Sequence, residues 1–404
     1  MNFDASELGT RRSLSLAAIP VLKRVAFDRL GVFVALLAAG ALLFEPFVTL
    51  RANRIASGKG VGFFDALVPA TAHAGAFILV LVAASAIFRL QPWLRASGAG
   101  LSLTVLAYLV GEAPSHLISS EHPLARVAPA GGFWLLGFAF ALLLTDAIGR
   151  LKLGPWPRLA MLAVTFALVA ALLGSGEWNG LSVLKEYAVH SDSFWQEAAA
   201  HVELALVSLG AALIAGLPLG VACHGSRRLR ELTLPALNIV QTIPSIAMYG
   251  LMMAPLALLA AHVPLAAEIG IRGIGTAPAL IALFLYSLLP VVGNTVVGLA
   301  SVSAQAVEAA EGMGMTRRQR LFGVELPLAA PVILTGVRIV LVQNIGLVTI
   351  AALIGGGGFG VFVFQGIGQA ATDLVLLGAI PTIALAFSAA VILDAIVDLL
   401  KGRA

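Results

Sequence analysis

The chain has 404 residues, of which 59% are hydrophobic and only 11% charged, against about 25% charged in soluble domains, and its mean hydropathy is +0.98. This excludes a soluble globular protein, so the net charge of +4 has to be explained by membrane topology before any nucleic-acid or acidic partner is invoked. A single cysteine, Cys223, excludes an intrachain disulfide and any metal site built on cysteine pairs.

At the N-terminus Arg11, Arg12, Lys23, Arg24, Asp28 and Arg29 are spread along the stretch rather than gathered into a short basic region, so no cleavable signal is expected. Apolar runs of about 18 or more residues then predict an all-α integral membrane protein of about ten spans. They fall at residues 30–50, 66–88, 96–112, 131–149, 158–175, 199–222, 233–257, 276–299, 328–354 and 374–400. With the N-terminus inside, 18 of the 25 Lys and Arg residues lie in cytoplasmic segments, 6 lie outside, and Arg338 falls within the ninth span. That asymmetry places both termini in the cytoplasm. Arg51, Arg54 and Lys59 depart from it, between the first two spans.

After the fifth span comes the longest polar stretch, SGEWNGLSVLKEYAVHSDSFWQEAAAHVE. It divides an N-terminal membrane domain, residues 1–178, from a C-terminal one, residues 199–404, across an external linker at 179–198. Ser193 and Gln196 have capping-box spacing, and Phe194 and Trp195 suit a helix beginning at headgroup level. Within the seventh span, Gln241, Thr242, Pro244 and Ser245 are candidate pathway-lining residues, as are Asn294 in the eighth and Gln343 and Asn344 in the ninth. Polar groups in hydrocarbon face the bundle interior, where they serve either a pathway or helix–helix hydrogen bonds. Pro244 is expected to kink its span. Arg338 lies about 16 Å beyond Pro327 along the ninth helix, near mid-membrane. It either pairs with an acid such as Asp394 or Glu203 or lines an aqueous cavity.

Between the eighth and ninth spans the chain reads VEAAEGMGMTRRQRLFGVELP, Val307 to Pro327. A helix over 303–310, a turn at Gly312 and Gly314, and a short basic helix over 316–322 are predicted, with Pro327 in the first turn of the next span. Two short helices bent at a glycine and joined to two spans can transmit a push. Ala309 and Ala310 allow close approach of a partner, and Glu308 offers it a charge.

Glu308-Ala309-Ala310, Gly314 and Val324-x-Leu326-Pro327 resemble the EAA motif of binding-protein-dependent ABC importer permeases, with Val where that family usually has Ile. The resemblance covers about residues 195–400, where HVELALVSLGAALIAGLPLGVACHGSRRL, LNIVQTIPSIAMYGLM and APALIALFLYSLLPVVGNTVVGL look like permeases for glycine betaine, choline and carnitine. The additional N-terminal domain resembles the longer YehY-type members. Gly293 departs from the family pattern, standing where many relatives carry a basic residue. The resemblance implies a five-helix permease core of the MetI-like importer type in the inner membrane, with Glu308, Ala309, Ala310, Gly314, Leu326 and Pro327 in a coupling loop at 301–327. It also implies partner ABC ATPase subunits, a second permease subunit forming a homo- or heterodimer, an extracytoplasmic solute-binding protein and surrounding membrane lipid, with no nucleic acid. ATP and magnesium are then expected on the ATPase, with no cofactor, metal or catalytic residue on this chain. The nearest approach to a Walker A pattern, Ser57-Gly58-Lys59-Gly60, lacks its upstream glycine and following Ser or Thr.

Gly355-x-Gly357-x-x-Gly360 formally matches a dinucleotide fingerprint but follows a membrane span rather than a strand. It is expected to form a flexible external turn or gate lip, with Phe359, Phe362 and Phe364 packing at the membrane interface. The seven histidines show no metal-ligand spacing. Three alternatives stay open: a permease for another small solute such as an amino acid, an ion-coupled secondary transporter using Glu45 and Asp146, and a sensor built from the N-terminal spans.

Overall fold

The computed structural model describes residues 27–54, 56–119, 122 and 124–402; Arg11, Arg12, Lys23, Arg24 and Arg403 of the topology count lie outside them. Helix α1 (Arg29–Phe44) is followed by strands β1 (Val48–Arg51) and β2 (Lys59–Val61), then by α2 (Pro69–Ala86), α3 (Pro92–Leu117), β3 (Arg126–Pro129), α4 (Gly131–Leu151) and α5 (Pro155–Ser175). A 3-10 turn at Glu177–Gly180 leads to α6 (Ser182–Gly225), α7 (Arg227–Thr242), α8 (Ser245–His262), α9 (Pro264–Glu268) and α10 (Thr276–Ala300). Then come α11 (Ala304–Gly312), α12 (Arg317–Arg320), a π turn at Leu321–Glu325, α13 (Leu326–Ala351), α14 (Gly360–Gly368) and α15 (Thr372–Lys401). Among the described residues nine helices are long and apolar enough to cross a membrane, and α1 is a shorter apolar helix.

The first span is shorter than predicted because Pro46 excludes helical backbone at Glu45, which is extended (φ −101°, ψ 143°). The β-branched Val48 and Thr49 that follow pair instead as β1, the centre of a small antiparallel sheet in the order β2-β1-β3. Three strands are thus added to an otherwise helical architecture.

The sheet explains the misplaced cations. On its face of the molecule, Arg54 Nε lies 3.0 Å from Glu186 and Arg126 Nη1 lies 2.6 Å from the same carboxylate. Arg51 pairs with Asp373 at 3.6 Å, and Asp373 also accepts from Ser182 Oγ at 2.6 Å. Arg54 Nη2 donates to Gln369 as well. These arginines join the N-terminal helices to the start of α6 and to the turn before α15, a use that no loop-charge count reveals. At the opposite, basic face Arg158 of α5 pairs with Asp398 near the end of α15, so α15 is tied to the N-terminal helices at both ends.

Asp28 caps α1 by accepting from Gly31 N, and it receives Arg95 Nη1 at 2.6 Å. The Arg95 hydrogen bond, against the opposing effect of burial, holds its carboxyl at about 2 rather than 3.8. A depressed folded value means stabilisation that is present above the unfolded value and lost as pH falls towards the folded one. Acid titration of the detergent-solubilised protein from pH 4 to pH 2 should therefore remove about 2 kcal/mol, and Asp28→Asn should lose that stability already at neutral pH.

In the C-terminal half α6 packs closely on α10 because Gly216 and Gly220, one helical turn apart, present no Cβ. Added Cβ atoms would come within 2.7 Å of Val291 Cγ1 and 2.5 Å of Thr295 Cβ, the small-xxx-small arrangement of membrane helices. The predicted capping box at Ser193 is absent. The helix runs through that point with a bend at His190 (φ −114°, ψ 17°), and Ser193 Oγ donates to the His190 carbonyl. The predicted seventh span also divides. Pro244 forces Ile243 into extended backbone (φ −70°, ψ 127°), so the chain breaks into α7 and α8 where a kink was expected, and α8 is the membrane-length piece.

Candidate functional site: a hinged helical element beside a polar-knit core

The segment between α10 and α13 is built from its caps. Ser303 Oγ accepts from Ala306 N to start α11. Gly314 ends it in left-handed backbone (φ +78°). Gly314 N donates to Glu311 O at 2.9 Å and Met315 N to Ala310 O at 3.1 Å, the paired bonds of a Schellman motif with glycine at its left-handed position. Thr316 then opens α12 with a capping box: Gln319 N donates to Thr316 Oγ1, and Thr316 N to Gln319 Oε1.

Beyond α12 the structure departs from two separate short helices followed by a new span. Helix runs without a break from Arg317 to Ile354; Pro327 stands in the first turn of α13 as expected, but with helical backbone already before it. The proline has no N–H, and its ring would crowd the carbonyl four residues back. The π turn relieves this, with Leu326 N bonding Leu321 O five residues back. Leu326 and Pro327 therefore mark the joint by which the basic arm is continuous with the span.

Glu308 and Ala309 are exposed, as are Met313 and Phe322, whereas Ala310 is 1% exposed. Ala310 is thus small because α11 packs against the π turn, and it does not face a partner as the sequence suggests. Arg320 is a residue that sequence reasoning treats only as a topogenic charge. Its Nη1 pairs with Glu311 on α11, and its Nε lies 2.5 Å from Glu325 Oε1 in the π turn.

Three of the candidate pathway residues, Gln241, Asn294 and Asn344, bond to α10. Pro290 leaves the Tyr286 carbonyl without its intrahelical donor, and Gln241 Nε2 supplies one at 2.8 Å. In return the Tyr286 hydroxyl donates to the Ile243 carbonyl at the α7–α8 break. Thr242 donates to Ile239 O and is exposed beside Pro244, while Ser245 is half-buried at the start of α8. Asn344 is fully buried and joins three helices: its Nδ2 donates to Ser208 Oγ of α6 at 2.9 Å and to Ser287 Oγ of α10 at 3.0 Å. Asn294 Nδ2 donates to Pro290 O, and its side chain fills the space over Gly336. Gln343 is half-buried. Arg338 turns to α15, where it pairs with Asp394, so it does not join this group.

The glycine turn after α13 is pinned rather than flexible. Gly355, Gly357 and Gly358 are left-handed. Gly358 N donates to Glu197 at 2.6 Å, and Phe359 N to His201 Nδ1 at 3.2 Å. His201 Nε2 lies 2.9 Å from Ile345 O. Phe359 and Phe362 are buried against Phe194, with Phe364 half-buried.

Comparison with known proteins bears on both halves. Residues 212–404 match the family described as binding-protein-dependent transport system inner membrane component. Residues 28–184 match ABC transporter permease YehY, N-terminal domain. The osmoprotectant import permease protein OsmW of Salmonella typhimurium is 43% identical over 180 residues, 45% of this chain and 79% of that protein. The choline transport system permease protein OpuBB of Bacillus subtilis is 36% identical, over 46% of this chain and 78% of that protein. The osmoprotectant import permease protein OsmY of S. typhimurium is 38% identical, over 53% of this chain and 84% of that protein.

Proposed function

Since the chain belongs to the binding-protein-dependent permeases of ABC importers, we propose that it forms half of a transmembrane pathway for an osmoprotectant of the glycine betaine class. A second permease subunit supplies the other half. ATP and magnesium sit on separate ATPase subunits, and a solute-binding protein delivers the cargo on the far side of the membrane. The observation that carries the coupling part is a capped helix presenting Glu308 and Ala309 outward, joined through the Gly314 bend to an arm continuous with a span. ATP-driven closure of the ATPase pair, bearing on residues 301–327, is carried by that helix into α13. This orientation puts the basic face in the cytoplasm.

The solute class rests on what the relatives' names say they carry. One physical feature agrees with it. Arg338, the cation that would repel a quaternary ammonium from the membrane interior, is paired with Asp394. In this reading the aromatic recognition of the ammonium group lies on the binding protein. Thr242, Ser245 and Gln343 are the polar candidates for the pathway, since the carboxamides of Gln241, Asn294 and Asn344 already bond within the bundle.

Proteoliposomes carrying the chain, its ATPase and its binding protein test this directly. Labelled glycine betaine should accumulate only with ATP on the ATPase side and binding protein on the other. Uptake that ignores ATP and follows an ion gradient would replace this reading with secondary transport, and ATP-driven uptake of an amino acid in place of betaine would replace the solute.

A further inference from the structure

Arg320 is placed to do more than carry a topogenic charge. Its guanidinium is 18% exposed and meets one carboxylate on each side of the bend: Glu311 in the last turn of α11, and Glu325, 10% exposed, in the π turn that leads into α13. Between those contacts the backbone turns through left-handed Gly314, where a Cβ would meet open space. Among the described residues nothing beyond the turn itself comes within 4 Å of that position. The segment from Met313 to Met315 therefore relies on backbone bonds and on whatever ties the two arms together from outside.

We propose that Arg320 is a positioning residue for energy coupling: it locks the angle between α11 and the helix entering α13, so that a displacement imposed at Glu308 and Ala309 reaches the span instead of flexing the glycine bend. The chemistry requires arginine. Its planar fork directs Nε and Nη1 to two carboxylates at once, whereas a lysine ammonium is a single point charge on a flexible stem. A purely topogenic role is satisfied by either residue. Arg317 and Arg318, exposed on the same turn, carry that role without Arg320. The proposal rests on the coupling reading and deepens it.

The test uses the full chain assembled with its ATPase and binding protein in proteoliposomes, reading ATP hydrolysed per molecule of solute imported. Arg320→Lys keeps the charge and should raise that ratio about tenfold with an unchanged amount of assembled complex; a mere loss of stability would lower uptake and hydrolysis together. Glu325→Gln, which keeps the size of the side chain and removes its charge, should raise it in the same direction. In a Cys223→Ser background, spin labels at Gln305→Cys and Arg318→Cys, both exposed, should report a broadened distance distribution when Arg320→Lys is added. If Gly314→Val uncouples the importer while Arg320→Lys and Glu325→Gln leave both the ratio and the distance unchanged, the lock is wrong and the coupling reading stands. If Gly314→Val also transports normally, the coupling reading itself fails.

Discussion

Replacing Gly314 with valine is expected to lower solute uptake about a hundredfold, at the upper end of coupling free energies between sites, while membrane insertion stays intact. The reason lies in the backbone rather than in crowding. A Cβ at Gly314 meets nothing within 4 Å, but φ is +78°, a conformation that costs a non-glycine residue about 1–3 kcal/mol. A β-branched side chain is least able to adopt it, so Gly314→Val should unwind the Schellman bonds from Gly314 N to Glu311 and from Met315 N to Ala310. The exposed arm bearing Glu308 and Ala309 would then no longer stand at a fixed angle to α13. Asparagine enters left-handed backbone more readily than other side chains, so Gly314→Asn should retain most of the uptake. Equal uptake by the valine and asparagine variants would show that the left-handed turn is not what matters. The readout is initial uptake rate, normalised to permease in the membrane.

The second large effect is expected at Glu186. Its carboxylate is 2% exposed and is the shared counter-charge of Arg54 and Arg126. Glu186→Ala leaves two guanidiniums side by side with no acid between them. Breaking a buried pair in this way costs about 3–5 kcal/mol, and the lower end applies because Arg54 is 39% exposed. Thermal unfolding in detergent should show the loss, together with faster proteolysis near the Glu177–Gly180 turn as the N-terminal helices separate from α6. Substituting Arg54 together with Glu186 should recover part of the stability, since only Arg126 then remains unpaired. A melting curve identical to the parent's would remove the ion cluster from any account of how the two halves hold together.

Much of this architecture is legible in the sequence wherever the information is local. Apolar runs of spanning length place the helices that became α2 to α5, α10, α13 and α15, and the polar residues of Val307 to Pro327 mark the segment proposed to couple. Gly314 as its bend is equally local, because only the residue's own backbone freedom is needed to argue it. What escaped involves partners far away in the chain. Arg51 and Arg54 look like topological errors until Asp373 and Glu186 are brought beside them. Gln241 and Asn344 read equally as pathway or packing until Pro290 orphans a carbonyl for one, and Ser208 and Ser287 converge on the other.

Some misses were nonetheless local. The pre-proline restriction at Glu45 and at Ile243 is printed in the sequence, and weighing it against hydropathy would have shortened the first span and divided the seventh. Pro327 does stand in the first turn of α13, where prolines are tolerated, but the sequence does not show that α12 runs into that turn without a break. A π turn that lets helix continue past the ring has no compositional signature. Ala310 carries a similar lesson: a small residue in a motif suits a close partner and an internal contact equally well, and only its 1% exposure decides for the latter.

The central claim is that work from a separate ATPase enters this chain through the exposed face of α11. A disulfide cross-link tests it most directly, since Cys223 is buried and can be replaced by serine to give a cysteine-free background. A cysteine introduced at the exposed Ala309, with a second cysteine engineered on the facing surface of the ATPase and a mild oxidant added to accept the two electrons, should form a disulfide to the ATPase subunit in the assembled transporter, with a yield that changes when ATP is added. An ATPase that co-purifies with this chain yet never cross-links from Ala309, with or without ATP, would contradict the account.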